Sequence, residues 1–256
     1  MTVHPQPELP LTGERTVPGV ARENYWFRRH QAVYQELVPH CVDAVVLEAG
    51  CGEGYGADLL AAAASRVLAL DCDAVTVAHV GHRYPRIAAA LGNLVALPLG
   101  SSVVDVVVSL QVIEHLWEQE RFLAECARVL RLGGRLLLST PNRLTFSPER
   151  DSPLNPFHTR ELSPAELVEL LRAAGFDVSP LLGLRHGGAL RELDARHGGS
   201  FVDAQVAMVL DGGPWPAALL ADVAGVRCAD FELSSADLDT SLDLVAIARA
   251  RGGTSS

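Results

Sequence analysis

The sequence predicts an α/β fold in which a mostly parallel sheet of seven strands is covered by helices on both faces. Two observations lead to this class. Short apolar runs of strand length alternate with segments of helical composition from about residue 44 to residue 182, and such alternation is typical of parallel sheets. The run that begins at Val45 also ends in a turn with glycines at 50, 52, 54 and 56, and a helix start follows it. A strand, a tight turn and a helix in that order open a Rossmann-like sheet.

The predicted elements follow one another with short connections. The first is an amphipathic helix over residues 23–37 with a crowded aromatic and basic face. A later helix start is well specified, because Ser163 can cap it, Pro164 suits its first position and Glu166 completes a capping box. Gly175 ends this helix. We predict strands at 44–48, 67–71, 87–91, 103–109, 134–139, 176–182 and 242–250, and further helices at 55–64, 74–83, 119–130 and 163–174.

Two segments stand outside this alternation. Residues 1–22 are rich in proline, threonine and glycine and predict a flexible N-terminal segment, followed by a single domain over residues 23–256. The segment from about 183 to about 240 separates the last two predicted strands, and we predict a helical insertion there. It would cover the mouth of a substrate site or form the contact of a homodimer. A decoration of the surface is the open alternative.

Composition and charge restrict the class of protein. The chain has 256 residues, 48% of them hydrophobic, and a net charge of −10. An acidic chain without a basic run is a poor nucleic-acid binder, and no apolar run approaches the ~20 residues that span a membrane. No secretory signal is visible, and the five cysteines lack paired or zinc-like spacing. We therefore expect a cytoplasmic protein with a small-molecule partner and neither nucleic-acid nor membrane partners.

The glycine turn predicts a site for an adenine nucleoside. Glu48 ends the first strand, and Gly50 and Gly52 follow without side chains that would block a cofactor. Asp71 directly follows the second apolar run, where a carboxylate can accept hydrogen bonds from both ribose hydroxyls. From Gly52 the chain also fits the G-x-G-x-x-A pattern of nicotinamide dinucleotide sites. A dinucleotide is therefore the competing cofactor.

Further residues favour S-adenosylmethionine (SAM) over a dinucleotide. Glu48 and Glu53 would place negative charge beside the turn, which suits an ammonium and a sulfonium and repels a pyrophosphate. After the third strand, Asn93 can meet the adenine amino group, and the amide N–H of Leu94 can meet a ring nitrogen. Gln111 follows the fourth strand at the same edge of the sheet.

These features occur in one order between residues 45 and 142. Together they resemble the class I SAM-dependent methyltransferases. The resemblance implies a Rossmann-like fold with SAM as its cofactor.

Two of the nine histidines follow strands at the expected cofactor edge. His115 stands next to Glu114 after the fourth strand, and His158 lies in a proline-framed loop after the fifth. Either could take the proton of an acceptor hydroxyl, because histidine titrates near neutral pH. Glu114 and His115 could also hold Mg²⁺, since residues 111–115 resemble the metal-bearing Glu-x-x-Glu-His of some quinone O-methyltransferases, with Gln111 replacing the first acid. We assign the base to His158 and an ion-binding or orienting role to His115.

The N-terminal helix is predicted to close over the cofactor. Tyr25 and Trp26 would shield the adenosine, and His30 or Arg28 would reach the methionine carboxylate. Core packing of an aromatic stripe is the alternative explanation for this face of the helix.

A second pattern extends over nearly the whole chain, in residues 12–16, 23–30, 47–58, 139–143, 155–161 and 194–199. These segments together resemble a mycobacterial methyltransferase family linked to methylmannose polysaccharide and methylglucose lipopolysaccharide. The resemblance implies a sugar O-methyltransferase. One branch methylates the reducing-end 1-hydroxyl of short 3-O-methylated mannosides, and we favour that branch. The alternatives are a methylglucose-type or quinone-type acceptor, an NAD-dependent oxidoreductase and a non-catalytic SAM-binding module.

Overall fold

The structure, a computed structural model, describes residues 16–251. Its strands are β1 (Val45–Ala49), β2 (Arg66–Asp71), β3 (Ala88–Leu91), β4 (Val104–Leu110), β5 (Leu130–Pro141), β6 (Phe176–His186), β7 (Phe231–Ser234) and β8 (Asp243–Ala250). They form one eight-stranded sheet in the order β3-β2-β1-β4-β5-β8-β6-β7. Strands β1 to β5 pair in parallel, whereas β8 runs antiparallel to both of its neighbours. The α/β class and the parallel centre of the sheet are thereby confirmed.

Helices cover both faces of this sheet. Their bounds are α1 (Asn24–Leu37), α2 (Tyr55–Leu60), α3 (Ala74–Arg83), α4 (Gln119–Val129), α5 (Arg143–Phe146), α6 (Pro164–Ala173), α7 (Gly188–Arg196), α8 (Phe201–Asp211) and α9 (Ala217–Gly225). Helices α1 to α3 and α7 to α9 contribute to the hydrophobic core on one face. Helices α4 and α6 contribute to the core on the other face. In the part of the chain described, every helix is too short or too polar to cross a membrane.

The predicted number of seven strands is wrong, because β7 adds an eighth at the edge of the sheet. It pairs antiparallel with β6 and lies in the segment that we predicted as a helical insertion. A strand of four residues is too short to show an alternating pattern in the sequence. The helical character of the rest of the insertion is confirmed by α7, α8 and α9.

The predicted start of α6 is confirmed in its details. The Ser163 hydroxyl accepts a hydrogen bond from the Glu166 amide at 3.4 Å, and the Glu166 carboxylate accepts one from the Ser163 amide at 2.8 Å. Gly175 follows the helix with φ of +88°, a conformation that glycine adopts without strain. Local signals therefore set both ends of this helix.

The insertion packs on the N-terminal helix. The Asn24 side chain of α1 donates to the carbonyls of Val223 and Val226, at 3.0 and 2.9 Å, at the end of α9. Tyr25 packs edge-on against Phe201 of α8, with ring centroids 5.6 Å apart. The insertion therefore holds α1 in place, while its roles as a cover or a homodimer contact stay predictions. Most of the predicted flexible segment, residues 1–22, lies outside the described residues.

Candidate active site

The candidate site lies at the carboxyl ends of the parallel strands. The strand order reverses direction between β1 and β4, and ligands of open α/β sheets bind outside the carboxyl ends of the strands at such a point. The segments that follow β1 to β5 carry the predicted cofactor and catalytic residues, apart from those on α1. The topology therefore brings the predicted residues to one edge of the sheet.

The glycine turn combines close packing with open space. Gly50 and Gly54 have φ values of +85° and +95°, and a Cβ on them would lie 2.5 Å from a Val112 methyl and 2.8 Å from a Val80 methyl. Gly52 also has a positive φ, of +51°, but a Cβ there would meet nothing within 4 Å. Packing requires glycine at 50 and 54, whereas Gly52 borders a space that a ligand can enter.

Asp71 ties the end of β2 to this turn. Its carboxylate accepts the amide N–H of Gly52 and that of Asp73, each at 3.0 Å. The side chain is largely buried, yet each carboxylate oxygen has a second lone pair for a further donor. Asp71 can therefore hold the glycine turn and a ribose hydroxyl at once.

Glu48 lies beneath the turn and is completely buried. It accepts a 2.6 Å hydrogen bond from the hydroxyl of Tyr34, a residue of α1. Burial raises the pKa of Glu48 to about 8, so most of this carboxyl group is neutral near pH 7. Glu48 therefore brings less negative charge to the cofactor site of the free protein than its position in the sequence suggests.

The buried carboxyl group of Glu48 makes stability depend on pH. The pKa of Glu48 is higher in the fold than its ordinary value. The free energy of unfolding that this group contributes is therefore complete below about pH 4.5 and is lost as pH rises toward 8. We expect Glu48→Gln to make the decline of the unfolding free energy between pH 5.5 and 7.5 shallower, by roughly 1.4 kcal/mol per pH unit. Urea denaturation at three pH values measures this slope. An unchanged slope would show that Glu48 is ionised in the fold.

The Glu53 carboxylate lies beside the turn, where it accepts the Tyr55 amide at 3.2 Å, but its charge is partly compensated by further partners. Its carboxylate accepts hydrogen bonds from the Tyr84 hydroxyl at 2.8 Å and from His79 Nε2 at 3.0 Å. Arg83 Nε lies 3.4 Å from the same carboxylate. Glu53 is thus engaged with α3 and the residue after it, and its charge is partly compensated there.

The remaining predicted cofactor residues are Asn93 and Leu94, which follow β3 and were expected to meet the adenine, and Gln111, which follows β4. Asn93 is exposed, and its side-chain oxygen accepts the amide of Val95 at 3.0 Å, while the Leu94 side chain is buried. Gln111 has φ of +55°, and its amide nitrogen donates to the Ser139 hydroxyl at 3.1 Å. The Asn93 side chain stays accessible for a ligand, whereas Gln111 links β4 to β5.

Tyr25 and Trp26, the two aromatic residues of α1 expected over the adenosine, lie next to each other. Tyr25 is completely buried, and its hydroxyl lies 2.7 Å from His186 Nε2. Trp26 is half-buried and packs edge-on against Tyr25. The structure therefore places Tyr25 in the contact between α1 and the insertion, as the alternative of core packing proposed.

His30 and Arg28 have partners within or beside α1. His30 Nδ1 lies 3.3 Å from the Tyr55 hydroxyl, and burial lowers the pKa of His30 to about 4. Arg28 donates to Asn24 and Gln31 of its own helix, at 3.2 and 2.6 Å. Because His30 is neutral near pH 7, it can meet a methionine carboxylate only as a neutral hydrogen-bond donor.

The two predicted histidines come together. The rings of His115 and His158 lie edge to face with centroids 4.8 Å apart. His158 Nδ1 lies 2.7 Å from a carboxylate oxygen of Glu161, and both side chains are almost fully buried. His115 Nδ1 donates to the Phe157 carbonyl at 3.1 Å, and Phe146 stacks on the His158 ring. Both imidazoles are therefore held in fixed orientations.

A set of hydrogen bonds joins the segments that carry these histidines. Thr159 donates through its amide to the Glu114 carbonyl at 2.7 Å and through its hydroxyl to the Leu116 carbonyl at 2.8 Å. The Gln119 side chain donates to the carbonyls of Ile113 and Arg160, both at 2.9 Å. The segment after β4 and the loop after β5 thus form one rigid wall of the site.

Glu114, His115 and His158 could hold a metal ion. One ligand atom from each lies within 4.8 Å of the others. Glu114 is buried, accepts the Thr140 hydroxyl at 3.0 Å, and has its pKa raised to about 8 by burial. Two imidazoles and one carboxylate suit a transition ion such as Mn²⁺ or Zn²⁺ better than Mg²⁺, which prefers oxygen ligands. The predicted Glu114–His115 pair therefore gains a third donor, and the donor set does not favour Mg²⁺.

Sequence reasoning missed two groups of the site. Glu161, the partner of His158, stands only three residues after it, so the short spacing of a histidine and an acid in one loop was a usable signal. The ion pair of Arg29 and Asp243 lies in the core, close enough for the Asp243 carboxylate to act electrostatically on Glu114. It joins residues far apart in the chain, and no local pattern indicated it.

Comparison with known proteins assigns the chain to a family. A model for a methyltransferase domain matches residues 47–138. The chain is 64% identical over 243 residues to a probable S-adenosylmethionine-dependent methyltransferase of Mycolicibacterium smegmatis, covering 94% of this chain and 95% of that protein. It is 60% identical over 244 residues to one of Mycobacterium tuberculosis, covering 94% and 89%. The chain therefore belongs to the SAM-dependent methyltransferases.

Solved structures show the same fold at low identity. A SAM-dependent methyltransferase from Thermotoga maritima matches with a TM-score of 0.61 and 16% identity, over 90% of this chain and 94% of that one. The [4+2]-cyclase SpnF matches with a TM-score of 0.58 and 20% identity, over 88% and 81%. Since a protein named as a cyclase shares the fold, the acceptor must be argued from the site and not from the fold.

The cofactor contact of Asp71 can be tested by an isosteric change. We expect Asp71→Asn to weaken SAM binding about 10- to 100-fold, because a charge-assisted bond to the ribose is lost. Asparagine disturbs the glycine turn less than alanine would. Asp73→Asn is the matched control, since asparagine caps a helix such as α3 as well as aspartate does. Titration calorimetry measures both, and equal affinity of the two variants would show that Asp71 does not hold the ribose.

Proposed function

We propose that this methyltransferase transfers the methyl group of SAM to a sugar hydroxyl. The acceptor proposed is the reducing-end 1-hydroxyl of a short 3-O-methylated mannoside, a precursor of methylmannose polysaccharide. His158 acts as the general base. The resemblance of six sequence segments to the polysaccharide family supports the sugar, and the anomeric hydroxyl, the most acidic on a sugar, suits a histidine base.

The contact between His158 and Glu161 is the main structural support for this proposal, because it fits His158 to act as the base. With its Nδ1 proton directed at the Glu161 carboxylate 2.7 Å away, His158 is left with Nε2 as the nitrogen that accepts a proton. When Nε2 takes the proton of the acceptor hydroxyl, the resulting imidazolium lies against the buried Glu161 carboxylate, which stabilises it. An alcohol acceptor needs such a base, whereas an amine that is already neutral does not.

The reaction requires little more from the protein than alignment. The acceptor oxygen attacks the SAM methyl carbon, the bond from carbon to sulfur breaks, and the hydroxyl proton passes to His158 Nε2. The sulfonium becomes a neutral thioether that keeps the bonding electron pair. The glycine turn and Asp71 hold the cofactor, and the wall with His115 and His158 holds the acceptor. Positioning of this kind supplies much of the rate. A divalent ion held by Glu114 and His115 would make the acceptor hydroxyl more acidic and would leave Nε2 of His158 free to act as the base.

A quinone-type O-methyltransferase is the second candidate. A ubiquinone biosynthesis O-methyltransferase of Aromatoleum aromaticum is 28% identical over 159 residues, covering 55% of this chain and 67% of that protein. The cluster of Glu114, His115 and His158, which could hold a metal ion, also favours this candidate, because residues 111–115 resemble the metal-bearing motif of some quinone O-methyltransferases. The names of the mycobacterial relatives do not state an acceptor.

Methyl transfer from labelled SAM to a panel of acceptors tests the proposal. The panel contains 3-O-methylated and unmethylated mannosides, glucosides, quinone head groups and phenols. We expect the methylated mannosides to be the best acceptors. Transfer only to a quinone head group supports the second candidate. Tight SAM binding without any transfer favours a non-catalytic module.

Light scattering tests whether the protein forms the proposed homodimer.

A further inference from the structure

Two aromatic side chains next to the histidine pair are unusually exposed. Trp117 has 86% of its surface accessible and Phe157 has 59%. The other two tryptophans, Trp26 and Trp215, pack against the core. Leaving large aromatic surface in water forgoes the stabilisation that burial would give, and exposed apolar surface of this kind marks interaction sites. We call Trp117 and Phe157 the aromatic rim.

Hydrogen bonds join the two segments that carry the aromatic rim. Trp117 lies two residues after His115, and Phe157 directly precedes His158. The Phe157 carbonyl accepts from His115 at 3.1 Å, and the Leu116 carbonyl accepts from Thr159 at 2.8 Å. Phe157 is therefore one of the residues that link the two segments, and Trp117 directly follows another, Leu116.

An acceptor with one hydroxyl at His158 lies beside the two segments that carry Trp117 and Phe157. A pyranose ring has one face of C–H groups, which carry partial positive charge and match the negative face of an aromatic ring. Its other edge keeps its hydroxyls in water, so an open rim is sufficient for it. A quinone with an apolar tail would instead need an enclosed apolar pocket.

We propose that Trp117 and Phe157 form an acceptor subsite that stacks on the C–H face of an O-methylated sugar ring. The inference rests on the proposed function and deepens it, because it assigns residues that select the acceptor. The rim binds the sugar in the ground state and the transition state alike. It therefore sets the KM for the acceptor and leaves the chemical step unchanged.

Kinetics of Trp117 variants test the subsite. We expect Trp117→Ala to raise the KM for a 3-O-methylated mannoside roughly 10-fold, with kcat and SAM affinity unchanged within about twofold. Trp117→Tyr should restore most of the loss. Leu132→Ala is the matched control, because Leu132 is 85% exposed near the start of β5, at the opposite end of the strand from the site. Thermal unfolding confirms that each variant is folded.

The outcomes separate this inference from the proposed function. If the wild-type protein methylates the mannoside and Trp117→Ala leaves its KM unchanged, or lowers kcat alone, the subsite is wrong and the proposed function stands. If the wild-type protein methylates only quinones or phenols, both are wrong. A raised KM that Trp117→Tyr corrects, and that Leu132→Ala does not reproduce, supports the subsite.

Discussion

Replacing His158 by asparagine is expected to lower kcat about 100-fold or more while SAM affinity changes by less than about twofold. A general base contributes ~10²–10⁴-fold to such a step. Asparagine can keep a hydrogen bond to Glu161, so the buried carboxylate retains a partner, but it has no nitrogen that accepts the acceptor proton. His158→Ala should lose at least as much turnover and should also lose stability. Single-turnover transfer from labelled SAM gives the rate, and calorimetry gives the affinity.

Two further variants show whether Glu161 and His158 act as a unit. Glu161→Gln should lower kcat roughly 10-fold, because the amide still accepts from His158 but no longer stabilises an imidazolium. In the His158→Asn background the same change should cost nothing more. His82→Asn, on the exposed surface of α3, is the control. Near-normal turnover of His158→Asn, with His115→Ala inactive regardless of added divalent ion, would show that the two histidines have the opposite roles.

Removing the charge of Asp243 is expected to give a large loss of stability. Arg29 and Asp243 form a bidentate pair with two contacts of 2.6 Å, and both side chains are buried. Asp243→Asn leaves the arginine charge in the core without its counter-ion, and breaking a buried pair in this way costs about 3–5 kcal/mol. For a chain of this size the melting temperature should fall by about 10 °C. Scanning calorimetry measures it.

An exposed pair of the same two residue types supplies the control. Asp177 and Arg251 lie 2.8 Å apart with both side chains largely in solvent. Exposed pairs are worth about 0–1 kcal/mol, so Asp177→Asn should leave the melting temperature within about 3 °C of the wild type. Equal shifts for Asp177→Asn and Asp243→Asn would show that the buried pair is not what joins α1 to the sheet.

The parts of the site that could be predicted depend on local chain geometry. Gly50 and Gly54 have positive φ values inside one turn, and Asp71 is the last residue of its strand, so neighbouring residues reveal them. The helix start at Ser163 has the same origin, since its cap joins residues three apart. The position of His158 after β5 followed from the order of strands, which already brings successive loops to one edge of the sheet.

The parts that could not be predicted depend on contacts between distant residues. Tyr25 was expected over the adenosine, but it is buried against the insertion, whose position the sequence does not indicate. Arg29 and Asp243 lie at opposite ends of the chain, and neither position alone predicts the other. The neutral state of Glu48 results from burial beneath Tyr34 of α1, which a motif for the glycine turn does not contain.

Transfer to the anomeric hydroxyl of a sugar, with His158 as the base, predicts one defined position for the transferred methyl group. The protein is incubated with a short 3-O-methylated mannoside and with SAM carrying ¹³C in its methyl group, and the product is examined by NMR. We predict one new labelled methoxyl signal that correlates with the anomeric carbon and that forms at least about 100-fold more slowly with His158→Asn. A label on any other oxygen would show that the anomeric hydroxyl is not the acceptor, and the same product formed at the same rate by His158→Asn would show that His158 is not the base.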